Sequence, residues 1–460
     1  MKLTNKNIGN LAINDLIGNK LDCECGNVHE MSTEYVVVEE NAISKLPQII
    51  KKLGYKNILI ISDTNTNKVA GSKVNEALVN SKLNINSVIF DTSEKDLIPN
   101  EEAVGKILVH AQSGLEVIIA IGTGTLNDLA KFVSYKLNIP SMIVATAPSM
   151  DGFASTGAAL IIENLKITYI TDCPKVIIGD VNILKDAPID MIVAGFGDIV
   201  GKYSALCDWK LSQLINNEYV CEVSYKMVED SLKKCIKNTQ GIKNREKDSI
   251  KNLMQALVLT GIAMSFVGNS RPASGSEHHL SHYFEMMFQF EGKEPVLHGV
   301  KVGISTVLAM KLRELFAETL INFDEAIIKA ENFKVAQWEK RVEELYKSAA
   351  NGIIEINEKN QTNSIEKRLE RIKFIRENLD KILKILKDVP STEEINEILK
   401  SVGAPFNPIQ VGINEKTLID GIKMAKEVRT RYTILNLLSD IGVLDDFADK
   451  VRDYFEKEKV

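Results

Sequence analysis

The first 180 residues alternate between short apolar runs and stretches with helical spacing. Apolar strands are predicted at 34–40, 56–63, 86–91, 116–122 and 141–148, separated by helices at 42–53, 67–80, 100–113 and 125–137. Strands that are apolar throughout need cover on both faces, and the intervening helices supply it. A predicted hairpin (159–163 with 166–171) and a strand at 175–180 complete this part. The pattern predicts an α/β domain with a doubly wound, mostly parallel, Rossmann-like sheet.

From about residue 188 onward the pattern becomes helical. Residues 365–386 carry apolar side chains at three- and four-residue spacings, which predicts one amphipathic helix. Ser391 and Glu394 form a capping-box pattern, and 351–364 is the best loop candidate. We therefore predict two domains, an α/β domain over 1–185 and an all-helical domain over 186–460.

Composition narrows the class of function. The 460 residues are 45% hydrophobic with a formal net charge of −6, and no long Lys/Arg block suggests nucleic-acid binding. The N-terminus lacks signal-peptide features, and no apolar run approaches the ~18 residues of a spanning helix. Six cysteines are too few for a disulfide framework in a chain this long, so we expect reduced thiols. The expectation is a cytoplasmic protein that acts on a small molecule, without nucleic-acid or membrane partners.

The first chemical candidate is the glycine loop IGTGTLNDLAKF (121–132), between a strand and a helix. Gly122 and Gly124 would let backbone N–H groups approach a pyrophosphate at the helix N-terminus. The alternative is a plain βα turn, because Asn127 replaces the third glycine of the dinucleotide pattern. The acid at a strand end, Asp63, precedes the glycines rather than following them, so a dinucleotide fold here needs an unusual strand order.

The second candidate, ATAPSMDGFASTGAAL (145–160), leaves a predicted strand and is rich in small and hydroxyl residues. Thr146, Ser149 and Ser155 could bind a ligand there, since ligands bind at strand ends in open α/β sheets. A turn around Pro148 and Gly152 is an equally good interpretation.

The third candidate is a metal site in the helical part. Asp198 is predicted in the first turn of a helix that continues to about 212, where it could simply complement the helix dipole. In RPASGSEHHLSH (271–282), His278 and His282 share a helical face and His279 does not. With His298 and Asp198, His278 makes a three-ligand set that leaves a position open for substrate, as a catalytic metal requires.

A second metal-like string, CECGNVH, occupies residues 23–29. Its Cys-x-Cys-x-x-x-His spacing has no further ligand nearby in the sequence, so it is weak evidence for a metal site.

Five motifs together resemble the sn-glycerol-1-phosphate dehydrogenases. They are GTGTLND (122–128), TAPSMDGFAS (146–155), GFGDIVGK (195–202), RPASGSEHHLSH (271–282) and LHGVKVG (297–303). The superfamily includes iron-containing alcohol dehydrogenases, glycerol dehydrogenase and dehydroquinate synthase. APFNPIQVGI (404–413) and VRTRYTILNLLSDIG (428–442) are similar to the C-terminal part of the bacterial branch. The resemblance is weakest over the charged segment 325–400.

The resemblance implies roles for individual residues. Asp198, His278 and His298 match metal ligands, with nickel expected in the bacterial branch and zinc in the archaeal one. Asp151, His282 and Asp198 match positions that contact substrate or take part in catalysis. The positions implied for NAD(P), with Gly122 added from the loop argument, are Asp63, Gly122, Gly124, Thr125, Leu126, Asn127, Asp128, Thr146, Ala147, Pro148, Ser149 and Ser155. An acid before the glycine loop is the superfamily's usual arrangement.

The implied activity is metal-dependent hydride transfer from NAD(P)H to dihydroxyacetone phosphate, giving sn-glycerol 1-phosphate for phospholipid biosynthesis, by a homodimer. Arg271, Lys202 and Lys301 are candidates for the substrate phosphate, and the sequence does not choose among them. NADH and NADPH both stay open, because Asp63 favours NADH while nearby Lys68 could accept a phosphate. The alternatives are a glycerol or other polyol dehydrogenase, a dehydroquinate synthase-like lyase, and a non-catalytic binding protein.

Overall fold

The computed structural model describes residues 2–163 and 165–457 of the chain. It divides into two compact units, Met1–Ile199 with Glu222–Ser270, and Val200–Cys221 with Arg271–Val460. The predicted border at 185/186 is thus replaced by a discontinuous one, because helices from the predicted helical domain pack into the α/β unit. We call these the first and second units.

Eleven strands form three sheets within the described part of the chain. The strands are β1 (Lys2–Leu3), β2 (Leu21–Cys23), β3 (Val28–His29), β4 (Tyr35–Glu39), β5 (Asn57–Asp63), β6 (Asn84–Phe90), β7 (Val117–Gly122), β8 (Ser141–Ala145), β9 (Gly157–Ile162), β10 (Leu165–Ile170) and β11 (Val176–Asp180). The main sheet has the order β4-β11-β8-β7-β5-β6, and all its pairs are parallel. This confirms the predicted α/β class.

The helices in chain order are α1 (Leu46–Leu53), α2 (Thr64–Thr66), α3 (Ser72–Leu78), α4 (Glu101–His110), α5 (Gly124–Lys136), α6 (Val181–Leu184), α7 (Ile189–Val200), α8 (Lys202–Asn216), α9 (Glu222–Ile236), α10 (Thr239–Lys243), α11 (Lys247–Val267), α12 (Ser276–Phe290), α13 (His298–Glu318), α14 (Phe323–Glu331), α15 (Val335–Tyr346), α16 (Ala350–Asn360), α17 (Ile365–Glu377), α18 (Leu379–Lys387), α19 (Thr392–Val402), α20 (Glu415–Met424), α21 (Ile434–Asp440) and α22 (Leu444–Lys457). No strand follows β11 in the described residues, as predicted.

The central strands form because their side chains are buried on both faces. Every residue of β7 and β8 is buried. Val117, Ile119 and Ile121 of β7 belong to the core on one side of the sheet, together with Ile58 and Ile60 of β5. Burying an aliphatic side chain contributes about 1.5–3 kcal/mol, so these runs are a main source of the sheet's stability, in addition to its backbone pairing.

The strand order explains why Asp63 precedes the glycine loop. β5 pairs with β7, and Ile61 lies opposite Ala120 near their carboxyl ends. From β5 the chain moves outward to the edge strand β6, then returns on the other side of β5 to form β7. Such a reversal creates the crevice where open α/β sheets bind ligands. Asp63 ends one of these strands and Gly122 ends the other.

Two small sheets accompany the main one. β9 and β10 form the predicted antiparallel hairpin. β1, β2 and β3 form a three-stranded sheet that the sequence pattern did not reveal, because its strands have only two or three residues. The hairpin made by β2 and β3 carries the CECGNVH string.

The second unit is helical in its described residues, and two predictions for it were wrong. The helix predicted over 365–386 is interrupted at Asn378, so α17 and α18 are separate. The loop predicted at 351–364 is mostly α16, which ends where Gln361 adopts a left-handed conformation. Its Asn-rich sequence suggests a turn, but buried Asn357 is anchored by donating a hydrogen bond to Glu427. The predicted capping box of Ser391 and Glu394 is confirmed.

One helix, α11, is long and apolar enough to cross a membrane by length and composition. However, 67% of its most apolar window is buried within the protein, which is typical of a core helix.

Candidate functional site

The glycine loop places a helix N-terminus without a side-chain cap at the carboxyl end of β7. Thr123 precedes α5 without a side-chain capping bond, so the first backbone N–H groups of α5 lack that partner. A Cβ at Gly122 would come within 2.4 Å of Leu126, whereas one at Gly124 would meet only Met150, at 3.6 Å. Packing therefore requires glycine at 122 but not at 124. The space beside Gly124 suits a ligand that approaches the backbone.

Asp63 is half-buried at the end of β5 and already has a structural task. Its carboxylate accepts a hydrogen bond of 2.8 Å from the backbone N–H of Thr66, and its own N–H donates to the Thr66 hydroxyl at 3.0 Å. This capping box starts α2.

Asn127 and Asp128, both predicted to contact the cofactor, bind the neighbouring loop instead of pointing to empty space. Asn127 donates to the carbonyl of Gly152 at 3.4 Å, and Asp128 accepts from the N–H of Ala159 at 3.1 Å. Asp128 also pairs at 2.9 Å with buried Lys131, which in turn donates to the carbonyls of Gly152 and Gly157. Lys131 was missed from the sequence, although its spacing of three residues from Asp128 was visible.

The second loop, residues 146–155, follows β8 and is closely packed by two helices. Thr146, Ala147 and Pro148 are buried, and Ser149 and Ser155 are half-buried. A Cβ at Gly195 of α7 would lie 1.8 Å from the carbonyl oxygen of Pro148. The small residues of GFGD thus allow α7 to touch this loop. The Ser155 hydroxyl donates to the Gly152 carbonyl at 3.1 Å, as a turn residue does.

The same approach brings Asp151 to Asp198. The backbone N–H of Asp151 donates to the Asp198 carboxylate at 3.0 Å, and the Asp198 side chain is fully buried. The prediction that Asp198 opens a helix running to 212 was wrong. Asp198 lies near the end of α7, and α8 begins separately at Lys202. Glycines 195 and 197 resemble a helix boundary in the sequence, but they are interior residues of α7.

In the second unit, three imidazoles form one cluster. The ring centroids of His278 and His298 are 5.2 Å apart, and His282 lies 6.0 and 5.6 Å from them. His278 and His282 are one turn apart on α12, and His298 is the first residue of α13. The structure thus brings His278 and His282, which were related by their spacing, close to His298.

Glu277 orients His278. The Nδ1–H of His278 donates to the Glu277 carboxylate at 2.7 Å, and that carboxylate also accepts from the N–H of Gly275. Burial alone would raise the pKa of Glu277, but the hydrogen bond and charge of His278 outweigh it and hold the pKa below its usual range. With its proton on Nδ1, His278 presents Nε2 as a lone-pair donor, which is the arrangement of carboxylate–histidine–metal sites.

Asp208 fixes the N-terminus of α12, which carries these residues. Its carboxylate accepts from the N–H groups of Ser276 and Ile434 and pairs with Arg313 at 2.8 Å. A Cβ at Gly275 would come within 2.7 Å of that carboxylate. Gly275, in the run of small residues before the histidines, is therefore needed for this close approach.

His282 is surrounded by charged side chains. It lies 3.5 Å from the Glu285 carboxylate, and Arg429 donates to its Nε2 at 3.4 Å. Lys301 pairs with the same Glu285 at 3.3 Å. Arg429 was missed as a site residue, although VRTRYT was visible as a similar segment.

His279, which we predict to be neither a metal ligand nor a substrate contact, lies next to His278 on α12. It is fully buried, and neither ring nitrogen has a hydrogen-bond partner. Burial lowers its pKa well below the usual range, and the positive charges of Arg429, Arg431 and Arg271 lower it further. His279 is therefore neutral at physiological pH.

Two of the candidates for binding the substrate phosphate already make hydrogen bonds within the protein. Arg271 is fully buried and donates to Glu218 and to the carbonyls of Asp208 and Tyr432. Lys202 is buried and donates to the carbonyl of Ala273. Both are tied into the scaffold of the unit.

Arg431 lies in a markedly positive environment. Burial lowers its pKa to about 10, and the charges of Arg429 and Arg271 act in the same direction. It lines a cavity of about 530 Å³ in the second unit, together with Arg368, Arg371 and Lys426. Asp440 also lines this cavity and pairs with Arg371 at 2.6 Å, so part of the positive charge is neutralised within the protein.

The sequence is similar to one protein family and to several glycerol-1-phosphate dehydrogenases. The family described as iron-containing alcohol dehydrogenase matches residues 37–188. A glycerol-1-phosphate dehydrogenase of Halalkalibacterium halodurans is 31% identical over 421 residues, which is 91% of this chain and 96% of that protein. The corresponding protein of Geobacillus thermodenitrificans is 31% identical and covers 95% of this chain and 100% of its own length. One from Pyrococcus horikoshii is 33% identical over 59% of this chain and 76% of its own.

Two solved structures show the same fold at low sequence identity. An iron-containing alcohol dehydrogenase of Thermococcus thioreducens superposes with a TM-score of 0.60 at 14% identity, over 92% of this chain and 99% of that one. A glycerol dehydrogenase of Schizosaccharomyces pombe gives 0.59 at 14% identity, over 93% and 92%.

Proposed function

The chain belongs to the glycerol-1-phosphate dehydrogenase family, and we propose that it reduces dihydroxyacetone phosphate with NAD(P)H. Ketone, NAD(P)H and one proton give sn-glycerol 1-phosphate and NAD(P)⁺, and the reaction is reversible. The observation that carries the proposal is the buried pair of Glu277 and His278 within the imidazole cluster, because it prepares a metal-binding nitrogen.

Asp198, His278 and His298 are the proposed ligands of one divalent metal. Two imidazoles and a carboxylate suit zinc, nickel or iron, and three protein ligands leave room for a substrate oxygen. When bound, the metal acts as a Lewis acid that stabilises negative charge developing on the substrate oxygen. Within this choice we propose nickel or zinc, with nickel implied by the resemblance to the bacterial branch.

The cofactor is assigned to the crevice between β5 and β7. The N-terminus of α5 offers backbone N–H groups to the pyrophosphate, and Gly124 leaves the approach open. Asp63 is the proposed acceptor for a ribose hydroxyl. Asn127, Asp128 and Ser155 support this crevice by fixing the loop around Gly152 and the start of β9.

The reduced carbonyl needs a proton, and His282 is the proposed route. Its contacts with Glu285 and Arg429 fix the ring orientation and couple it to charged groups. An imidazole is suited to proton transfer near neutral pH. Asp151 is assigned a positioning role, because its N–H fixes the carboxylate of Asp198.

Arg429 and Lys301 are the proposed partners of the substrate phosphate. Arg429 contacts His282, and Lys301 lies one helical turn from His298 and pairs with Glu285. A guanidinium suits a phosphate because it can donate two parallel hydrogen bonds. Arg271 is a weaker candidate than it was in the sequence, since carbonyls and Glu218 already occupy it.

We further propose that the protein acts in the cytoplasm, as a homodimer, on this small phosphorylated substrate. These statements rest on composition and on the family.

The test is NADH or NADPH oxidation by the purified chain with dihydroxyacetone phosphate, over a range of added Ni²⁺ and Zn²⁺. We expect metal-dependent loss of nicotinamide absorbance, and chiral analysis should identify sn-glycerol 1-phosphate. A matched reaction with dihydroxyacetone tests the phosphate contact.

The proposal fails if no metal supports oxidation with the phosphorylated ketone. Equal rates with dihydroxyacetone would instead indicate a glycerol dehydrogenase. In that case Arg429→Lys and Arg429→Gln should leave the KM unchanged, whereas a phosphate contact predicts a higher KM in both.

A further inference from the structure

The hairpin of β2 and β3 carries a group of donors that the proposed reaction does not use. Cys23 ends β2, Cys25 lies in the connecting turn, and His29 ends β3. The turn is closed by a hydrogen bond from the N–H of Gly26 to the Cys23 carbonyl, with Gly26 at φ +90°. No atom would crowd a Cβ at Gly26, so the glycine is required by the turn itself. This tight turn brings the two cysteines to the side of the hairpin where His29 lies.

His29 is oriented as a metal ligand. Its Nδ1–H donates to the carbonyl oxygen of Phe266 at 2.9 Å, and its ring stacks on the Phe266 ring with centroids 4.7 Å apart and planes 6° apart. A carbonyl only accepts hydrogen bonds, so the Nδ1 proton leaves Nε2 with its lone pair. Nε2 lies 3.5 Å from the sulfur of Cys25. Fixing a ring through its other nitrogen is the usual support of a ligating histidine.

A third sulfur completes the group. Cys221 directly precedes Glu222, the first residue of α9, and its side chain is buried. The donor atoms of Cys23, Cys25, His29 and Cys221 all lie within 4.8 Å of one another. The sequence could not show this, because Cys221 is almost 200 residues from the hairpin.

The spacing agrees with tetrahedral coordination. Zn–S bonds of about 2.3 Å and Zn–N bonds of about 2.0 Å imply sulfur–sulfur distances near 3.8 Å and sulfur–nitrogen distances near 3.5 Å. The Cys25–His29 distance of 3.5 Å matches, and the widest separation closes by about 1 Å at most. Side-chain rotation about χ1 is sufficient for such a change.

We propose that Cys23, Cys25, His29 and Cys221 bind a structural zinc ion. Three thiolates and one imidazole make a soft donor set that selects zinc over hard cations. Cys23, His29 and Cys221 are buried, whereas Cys25 is half-buried and gives the ion a path of entry. All four positions of a tetrahedron are filled by protein, so this site has no place for a substrate.

The ion has a clear structural task. The sheet of β1, β2 and β3 is too short to be stable alone, since its strands have two or three residues. Zinc joins its hairpin to the start of α9, and Phe266 ties the same hairpin to the end of α11. The N-terminal segment is thereby fixed to the core of the first unit.

The test is metal analysis of the full-length chain purified without chelator, beside Cys25→Ser, Cys221→Ser, His278→Ala and Cys235→Ala. Cys235 is a buried cysteine of α9 outside the cluster and serves as the matched control. We expect both serine variants to lose about one equivalent of zinc per chain, and Cys235→Ala to keep it. His278→Ala should keep this ion as well, and the X-ray absorption spectrum of its zinc should show sulfur neighbours.

The result is independent of the proposed reaction, because the readout is metal content and ligand type. Unchanged zinc in Cys25→Ser, a disulfide among these cysteines in the non-reduced protein, or no sulfur neighbour in His278→Ala would each overturn the proposal. If the serine variants do not fold, the test is instead made by exchanging Co²⁺ into the unmutated chain. A sulfur-to-cobalt charge-transfer band supports the site, and replacement of all bound zinc by Co²⁺ without that band refutes it.

Discussion

The strand-end loops of the first unit and the histidine cluster of the second unit fix their polar side chains in different ways. In the loops, Asp63, Asn127 and Asp128 are bound to backbone groups of neighbouring segments. In the cluster, His278 and His282 are oriented by other side chains, namely Glu277 and Glu285.

The difference shows how each region performs its task. In the loops, polar side chains shape the backbone, and the backbone N–H groups of α5 are what a pyrophosphate would meet. In the cluster, the side chains themselves are the groups proposed to bind the metal and transfer the proton. Substitutions in the loops should therefore change the stability of the protein and its binding of the cofactor together. Substitutions in the cluster should abolish metal binding and turnover.

The largest expected effect is that of His278→Ala. Loss of a ligand supported by a buried carboxylate should lower kcat/KM by more than about 100-fold and remove the catalytic metal. Turnover and metal content, measured at saturating added Ni²⁺ and Zn²⁺, check this. His279→Gln is the control, because His279 is its neighbour on α12 and lies outside the cluster.

Retained catalytic metal in His278→Ala would show that the cluster is not the metal site. Equal losses in His279→Gln would show that the effect is structural, and the contrast between loops and cluster would then disappear.

Much of the first unit could be predicted because its signals are local. Strands that are buried on both faces and separated by helices appear directly in the hydrophobic pattern, and β7 and β8 are such strands. The order of the strands is not local. The sequence shows Asp63 before the glycine loop, but only the pairing of β5 with β7 explains it.

The errors have a common physical cause, which is packing between distant segments. Gly195 resembles a helix boundary, yet it lies inside α7. A glycine is needed there because the Pro148 carbonyl leaves no room for a Cβ. Arg429 was missed for the same reason, since its contact with His282 joins residues 147 positions apart. The histidine spacing succeeded because i, i+4 pairs share a helix face regardless of context.

A second, smaller effect is expected in the pH dependence of stability. Burial and neighbouring arginines hold the pKa of His279 well below 6.5, while in the unfolded chain it binds a proton below about pH 6.5. The unfolded state therefore takes up more protons as pH falls, and the folded state is destabilised. Between pH 7.5 and 5.5 this effect lowers the free energy of unfolding by about 1.4 kcal/mol. The His279→Gln variant should not show this decrease, because glutamine does not bind the proton. Unfolding measured for both chains at both pH values checks this, and equal drops would contradict a buried neutral His279.

The smallest effect separates the two tasks of Asp63. Asp63→Ala removes both the helix cap and the carboxylate, whereas Asp63→Ser keeps a capping oxygen. The alanine variant should lose about 1 kcal/mol of stability, and the serine variant much less. Both should raise the KM for NADH relative to NADPH to a similar extent, because both lack the carboxylate that would accept from the ribose hydroxyls, and the serine hydroxyl is committed to the cap. If the serine variant kept the parent's NADH preference, Asp63 would only cap α2, and the loop would recognise the cofactor through its backbone alone.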